Sequence, residues 1–176
     1  PDFEVEKLSW NQVNMESFFF PEHRKAALDG LEIMKDSLEI YSDTFALYPH
    51  AYLSMVEGDF PDGAEFEGLF FLSSFYFQTY DGTPYNYFTI LTAHETAHQW
   101  WYGMVANDQA LEPWLDEILA TYSERIYLSR TLPEGVNWWY DFRIASYHPT
   151  GWVNSTIYDF SGFRPYVNAV YLRGAA

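Results

Sequence analysis

His94-Glu95-Thr96-Ala97-His98 sets two imidazoles four residues apart, with a carboxylate beside the first. On a helix, residues i and i+4 stack one turn apart on one face, so both rings can reach a single Zn²⁺ at about 2.0–2.1 Å. Glu95 then points into the same cleft, free to act as general base on a metal-activated water. A buried helix with two satisfied histidines carries the same five residues, so the pattern needs a third ligand. After an eighteen-residue gap from His98 comes Glu117, within Trp114-Leu-Asp-Glu-Ile-Leu-Ala-Thr-Tyr-Ser-Glu124. Leu115, Ile118, Leu119 and Tyr122 predict an amphipathic helix with those residues as its buried stripe and Glu117 on or beside it. A buried unpaired carboxylate is costly, and coordination offsets that cost. Glu117 is therefore the candidate third ligand, and one Zn²⁺ per chain is the implied cofactor.

The two histidines, the eighteen-residue gap, Glu117 within Trp114-Leu-Asp-Glu117, and Gln99-Trp100 directly after the second histidine resemble the M1 family of zinc aminopeptidases, which are gluzincins. Gly63-Ala-Glu-Phe-Glu-Gly-Leu69 is similar to that family's exopeptidase motif and, aligned on Gly68-Leu69, puts the motif's glutamate at Glu65. Val170-Tyr-Leu-Arg-Gly-Ala175 resembles the family's Tyr-Glu-Lys-Gly-Ala segment and maps its tyrosine onto Tyr171. The matches run from about Tyr52 to the end of the chain. Departures fall around these residues. Ala64 stands for the motif's Met, Phe66 for its Asn or Tyr, Trp101-Tyr102-Gly103-Met104 for Phe-Gly-Asn, and Asp116-Glu117-Ile118 for Asn-Glu-Gly. They bear on the substrate subsites rather than on the metal chemistry.

The resemblance implies an α+β fold of thermolysin-like gluzincin type, a small β-sheet followed by a mainly helical part. It implies one catalytic domain over residues 1–176, cut from a larger multidomain chain. It also implies a metallo-aminopeptidase acting on peptides, with His94, His98 and Glu117 holding zinc and Glu95 as base. A hydroxyl donor for the oxyanion falls to Tyr171. Recognition of a substrate's free ammonium needs a carboxylate near the metal, and Glu65 takes that role. Taken without the resemblance, Glu65 reads as a solvated carboxylate after the Asp62-Gly63 turn. An epoxide-opening gluzincin and a catalytically silent scaffold remain as alternatives.

Composition bounds the rest. The 176 residues, 48% hydrophobic and 21% aromatic, suit a packed globular body. A formal charge of −16 argues against a nucleic-acid partner, because phosphate backbones need a basic face. With no apolar run of the roughly 20 residues a span requires, the sequence reads as a soluble chain, the cytoplasm slightly favoured. No cysteine is present, so no disulfide forms.

The elements that must position these residues follow from periodicity. Apolar spacing from Pro21 to about Leu47 predicts a long helix with Gly30 as a weak point. Alternation over residues 51–56 and 69–77 predicts two strands flanking a turn region, with Glu65 entering the cleft from the sheet's edge. The zinc helix is expected from about Tyr87 to Tyr102, with Gly103 closing it. His23, His50 and His148 are expected at the surface or in loops, outside the site.

Overall fold

The chain begins with an antiparallel hairpin, β1 (Glu4–Trp10) and β2 (Val13–Phe19), turned at Asn11, whose φ of 52° is a left-handed conformation that asparagine tolerates. The computed structural model describes residues 2–176, and the backbone divides into two units, the first ending at Gln99 and the second spanning Trp100–Ala176.

In the first unit, β3 (Tyr52–Gly58), β4 (Gly63–Phe66) and β5 (Leu69–Ser73) complete a mixed sheet of order β1-β2-β3-β5-β4. β3 runs parallel to both β2 and β5, and β4 is the antiparallel edge strand, with Glu65 opposite Phe70. The strands alternate as a sheet with one covered face should: Val13, Met15, Ser17 and Phe19 on β2, and Leu53 and Met55 on β3, are buried. A short 3₁₀ turn (Pro21–His23) leads into α1 (Arg24–Thr44), which buries Ala27, Leu31, Met34, Leu38 and Tyr41. α1 runs unbroken through Gly30, where the chain is closely packed. A Cβ there would lie 2.5 Å from Met55 Cε and 3.1 Å from Phe88 Cζ, so α1 approaches the sheet closely at this position.

Residues 74–77 do not continue the expected strand. The Ser73 hydroxyl accepts a hydrogen bond from the Phe75 N–H at 3.3 Å and caps a short helix, α2 (Ser74–Thr79). Phe75 is exposed and Phe77 buried, a difference that a helical turn produces and a strand, with residues i and i+2 on one face, would not. The turn region predicted between the two strands contains β4, which carries Glu65 at the sheet's edge.

α3 (Tyr87–Ala97) starts where the Asn86 side chain accepts the Thr89 N–H at 3.0 Å, and every residue from Phe88 onward is buried. It stops five residues short of the expected Tyr102. His98 is its C-cap, and the Gln99 N–H bonds back to the Thr96 carbonyl at 3.2 Å in a tightened last turn. His23 also differs from expectation: it is largely covered, with Nδ1 2.7 Å from the buried Glu57 carboxylate.

In the second unit the chain turns back at once, the Trp100 carbonyl accepting the Met104 and Val105 N–H groups at 3.2 and 2.8 Å. Asp108 closes the next loop by accepting the Ala110 and Leu111 N–H groups. α4 (Trp114–Thr131) follows, then α5 (Gly135–Trp139), which widens into a π-helical stretch over Tyr140–Ile144. A last helical run comprises α6 (Phe163–Val167), π-helical Asn168–Leu172 and α7 (Arg173–Ala175). The buried face of α4 is not the predicted apolar stripe. Asp116, Glu117, Thr121, Ser123 and Glu124 are buried with Ala120, Tyr127 and Leu128, while Tyr122 is exposed. Glu124 accepts the Trp139 indole N–H at 2.7 Å and pairs with Arg143, whose Nη2 is 3.0 Å away. That pairing satisfies the buried charge. Among the described residues, no helix is long and apolar enough to cross a membrane.

Candidate functional site

α3 delivers the first half of the candidate site. His94 and His98, one turn apart, are buried with their Nε2 atoms 3.1 Å from each other and their rings 76° apart. Two Zn–N bonds at a tetrahedral angle separate the nitrogens by about 3.3 Å, so this pair fits a shared cation within a few tenths of an ångström. Glu95 is also buried, and its carboxylate lies against Gly63 at the start of β4 so closely that a Cβ there would collide with it. Glu65, on the same edge strand, is half-buried; ligand atoms of Glu65, Glu95 and His98 all lie within 4.8 Å of one another. Two carboxylates and an imidazole this close favour a cationic group among them.

The strand carrying Glu65 is fixed at both ends. At its start, the Asp62 carbonyl accepts the Ser73 N–H at 2.9 Å, and the Tyr76 hydroxyl donates to the Asp62 side chain at 3.1 Å. At its far end the two-residue turn Glu67-Gly68 joins β4 to β5, and Gly68 sits at φ +73°, a conformation that glycine accepts without steric cost. The buried Gln99 side chain reaches this turn, accepting the Gly68 N–H at 2.8 Å and donating to the Phe66 carbonyl at 2.9 Å.

The second unit carries Glu117 and Tyr171. Glu117 lies in the first turn of α4, where the helix dipole favours a carboxylate, and its N–H is bonded to the Asp116 side chain at 2.7 Å. The Tyr171 hydroxyl, in the π-helical stretch, donates to Glu117 Oε1. Burial of the hydroxyl, then the Glu117 charge, then Tyr166 hold this phenol well above its ordinary pKa. Tyr166 packs edge-on against the Tyr171 ring at 5.5 Å and against Phe160 at 5.6 Å.

Within the first unit the structure thus gathers His94, His98, Glu95 and Glu65; within the second it pairs Glu117 with Tyr171. Sequence reasoning gave no role to Gly63 or Gln99. Gly63 was visible as the first residue of the exopeptidase-like segment and Gln99 as the residue after His98, but both act through tertiary contacts that no local spacing reveals.

No family model matches the chain. No curated protein matches it either. Solved structures do. A two-domain M1 zinc metallopeptidase mutant, crystallised with L-arginine, is 18% identical with a TM-score of 0.63, over 99% of this chain and 39% of that one. An M1 zinc metallopeptidase mutant from Deinococcus radiodurans is 17% identical with a TM-score of 0.60, again over 99% of this chain and 39% of the other. The chain has the fold of that part of these metallopeptidases, and it spans well under half of their length.

Proposed function

We propose that this chain is the catalytic part of a zinc aminopeptidase that removes N-terminal residues from peptides. The observation that carries the reading is the converging pair of His94 and His98 nitrogens, 3.1 Å apart, with Glu95 and Glu65 both beside His98. His94, His98 and Glu117 are the ligands assigned to zinc, two neutral imidazoles and a carboxylate being a set that zinc takes in hydrolases. Bound there, zinc would acidify a water and polarise the scissile carbonyl.

The protein's own groups do the rest. Glu95, buried with its carboxylate in the space that Gly63 leaves by having no side chain, takes the proton from the attacking water and returns it to the leaving amine. Tyr171, a phenol protonated at neutral pH, turns its one O–H from Glu117 to the developing oxyanion. Glu65 pairs with the substrate's α-ammonium, which restricts attack to the first peptide bond.

Hydrolysis of a panel of aminoacyl-anilides, beside the same compounds acetylated on the α-amine, tests this reading on the zinc-loaded protein. Cleavage of the free-amine set alone supports it. Cleavage of both removes the role of Glu65, and cleavage of neither, with zinc bound, moves the function to epoxide opening or to a silent scaffold.

A further inference from the structure

We infer that Gln99 is a positioning residue for amine recognition: its carboxamide pins the turn that carries Glu65, and so sets the preference for substrates with a free N-terminus. The inference rests on the ammonium role proposed for Glu65.

Three observations support it. The side chain is 1% exposed, and its two arms are used in opposite senses on the two sides of one turn: Oε1 accepts from the Gly68 N–H at 2.8 Å and Nε2 donates to the Phe66 carbonyl at 2.9 Å. The amide orientation is therefore fixed, since a flipped carboxamide would face N–H with N–H and oxygen with oxygen. Phe66 is the residue after Glu65, and Phe66 and Leu69 form the last pair of the β4–β5 ladder, so both bonds act on the four residues that end the edge strand. Gln99 itself directly follows His98. One side chain thus links the backbone at the end of α3 to the backbone that holds the ammonium carboxylate.

The remaining side-chain restraints on this turn are weaker, and a further backbone bond acts on its β5 side. The Gly68 carbonyl accepts the Ser54 N–H at 3.0 Å, which ties the β5 side of the turn to β3; on the Glu65 side, His50 reaches Glu67 at 3.3 Å across a largely exposed carboxylate, and the Tyr48 hydroxyl, bonded to the Tyr52 carbonyl at 3.0 Å, touches Gln99 Oε1 only at 3.4 Å. An edge strand of four residues, with one ladder neighbour, depends on such a side-chain anchor to hold a carboxylate within the tolerance a binding site needs.

Gln99→Met keeps the volume and removes both hydrogen bonds; Gln99→Glu keeps the acceptor for Gly68 and loses the donor to Phe66. The probes are an amino-acid hydroxamate and its N-acetyl counterpart, used as competitive inhibitors of the zinc-loaded protein. The ratio of their inhibition constants should fall about 10–100-fold in Gln99→Met, the usual cost of removing a supporting hydrogen-bond partner, with Gln99→Glu in between. For free-amine substrates, KM should rise more than kcat falls. Parallel weakening of both hydroxamates would overturn the inference, because it would mean that Gln99 only supports the metal helix. A second readout needs no catalysis: amide exchange at Gly68 should accelerate in Gln99→Met and stay slow in Gln99→Glu. Unchanged protection in Gln99→Met would overturn the anchor itself. If the wild-type protein cleaves neither substrate set, the proposed function fails, and amide exchange still decides whether Gln99 holds the turn.

Discussion

The two groups of candidate residues are built by different means. In the first unit, His94 and Glu95 lie in the last turn of α3, which is buried from Phe88 onward, His98 caps it, and Glu65 lies on a strand paired along its whole length. In the second, Glu117 and Tyr171 are 54 positions apart, one in the first turn of α4 and the other in a π-helical stretch. Their meeting depends on how two helical segments pack. Gly174 is set so close to Ile118 that a Cβ would overlap it, and the Phe163–Ala175 run is irregular along its middle. Helix spacing sets His94, Glu95 and His98, and hydrogen-bonded backbone sets Glu65, whereas helix packing sets the second group. Substitutions in the first should therefore change chemistry with little change in stability, and substitutions in the second should couple the two.

Glu95→Gln tests the first half of that contrast and carries the largest expected effect. The amide is the same size but cannot take a proton, so turnover should fall on the order of 10²–10⁴-fold. Zinc content and melting temperature should stay near those of the parent. Near-normal turnover would assign the base elsewhere.

Arg143→Met tests the second half. Glu124 is fully buried and Arg143 nearly so, and removal of one partner leaves an uncompensated charge, which costs about 3–5 kcal/mol. Denaturant unfolding should show that loss, and activity should fall with it as the packing under Glu117 loosens. Full stability in Arg143→Met would mean that the Glu124 carboxylate is satisfied without its ion pair.

The same contrast explains how much could be read from the sequence. The helix expected from Pro21 to about Leu47 and the strand expected over residues 51–56 follow from periodicity, and α1 and β3 lie there; the four-residue spacing of the histidines brings their Nε2 atoms within 3.1 Å. Glu65 at a sheet edge followed from the strand-turn-strand pattern around it. The hairpin β1–β2 does not follow from the sequence, because Asn11-Gln12 is a weak turn signal and β1 has no buried residue to mark it. Phe75 and Phe77 imitated strand alternation in a short helix capped by Ser73. On α4 the apolar-stripe rule pointed to the wrong face, because carboxylates and hydroxyls are buried there beside Ala120, Tyr127 and Leu128, and Glu124 is paired with Arg143. The early end of α3 and the role of Gln99 belong together: Gln99 turns its side chain to the Glu65 strand, a contact across 31 positions.

Tyr171→Phe sharpens the comparison within the second unit. Loss of an oxyanion donor costs about 10²–10³ in turnover, with KM little changed. Loss of the hydroxyl also removes a hydrogen bond from Glu117, so zinc affinity should shift in the same variant. No residue of the first unit outside the ligands should show that coupling. A pure KM effect would count against the oxyanion role.

Gly63→Ala is the finest test, because there the contrast predicts opposite signs for stability and activity. Gly63 is not left-handed, so alanine fits its backbone, and the substitution reduces the freedom of the unfolded chain by about 0.4–1 kcal/mol. The atoms its Cβ would strike are those of the Glu95 carboxylate, the end of a flexible side chain that can swing away at little cost. Stability should therefore hold or rise slightly. Displacing the base by about 1 Å costs up to 10²-fold in rate, so turnover should drop by roughly ten- to a hundredfold with zinc retained. Thermal unfolding and kcat measured on the same preparation decide it: unchanged turnover would show that the Glu95 position has slack, and a loss of stability would show that β4 cannot move to relieve the clash.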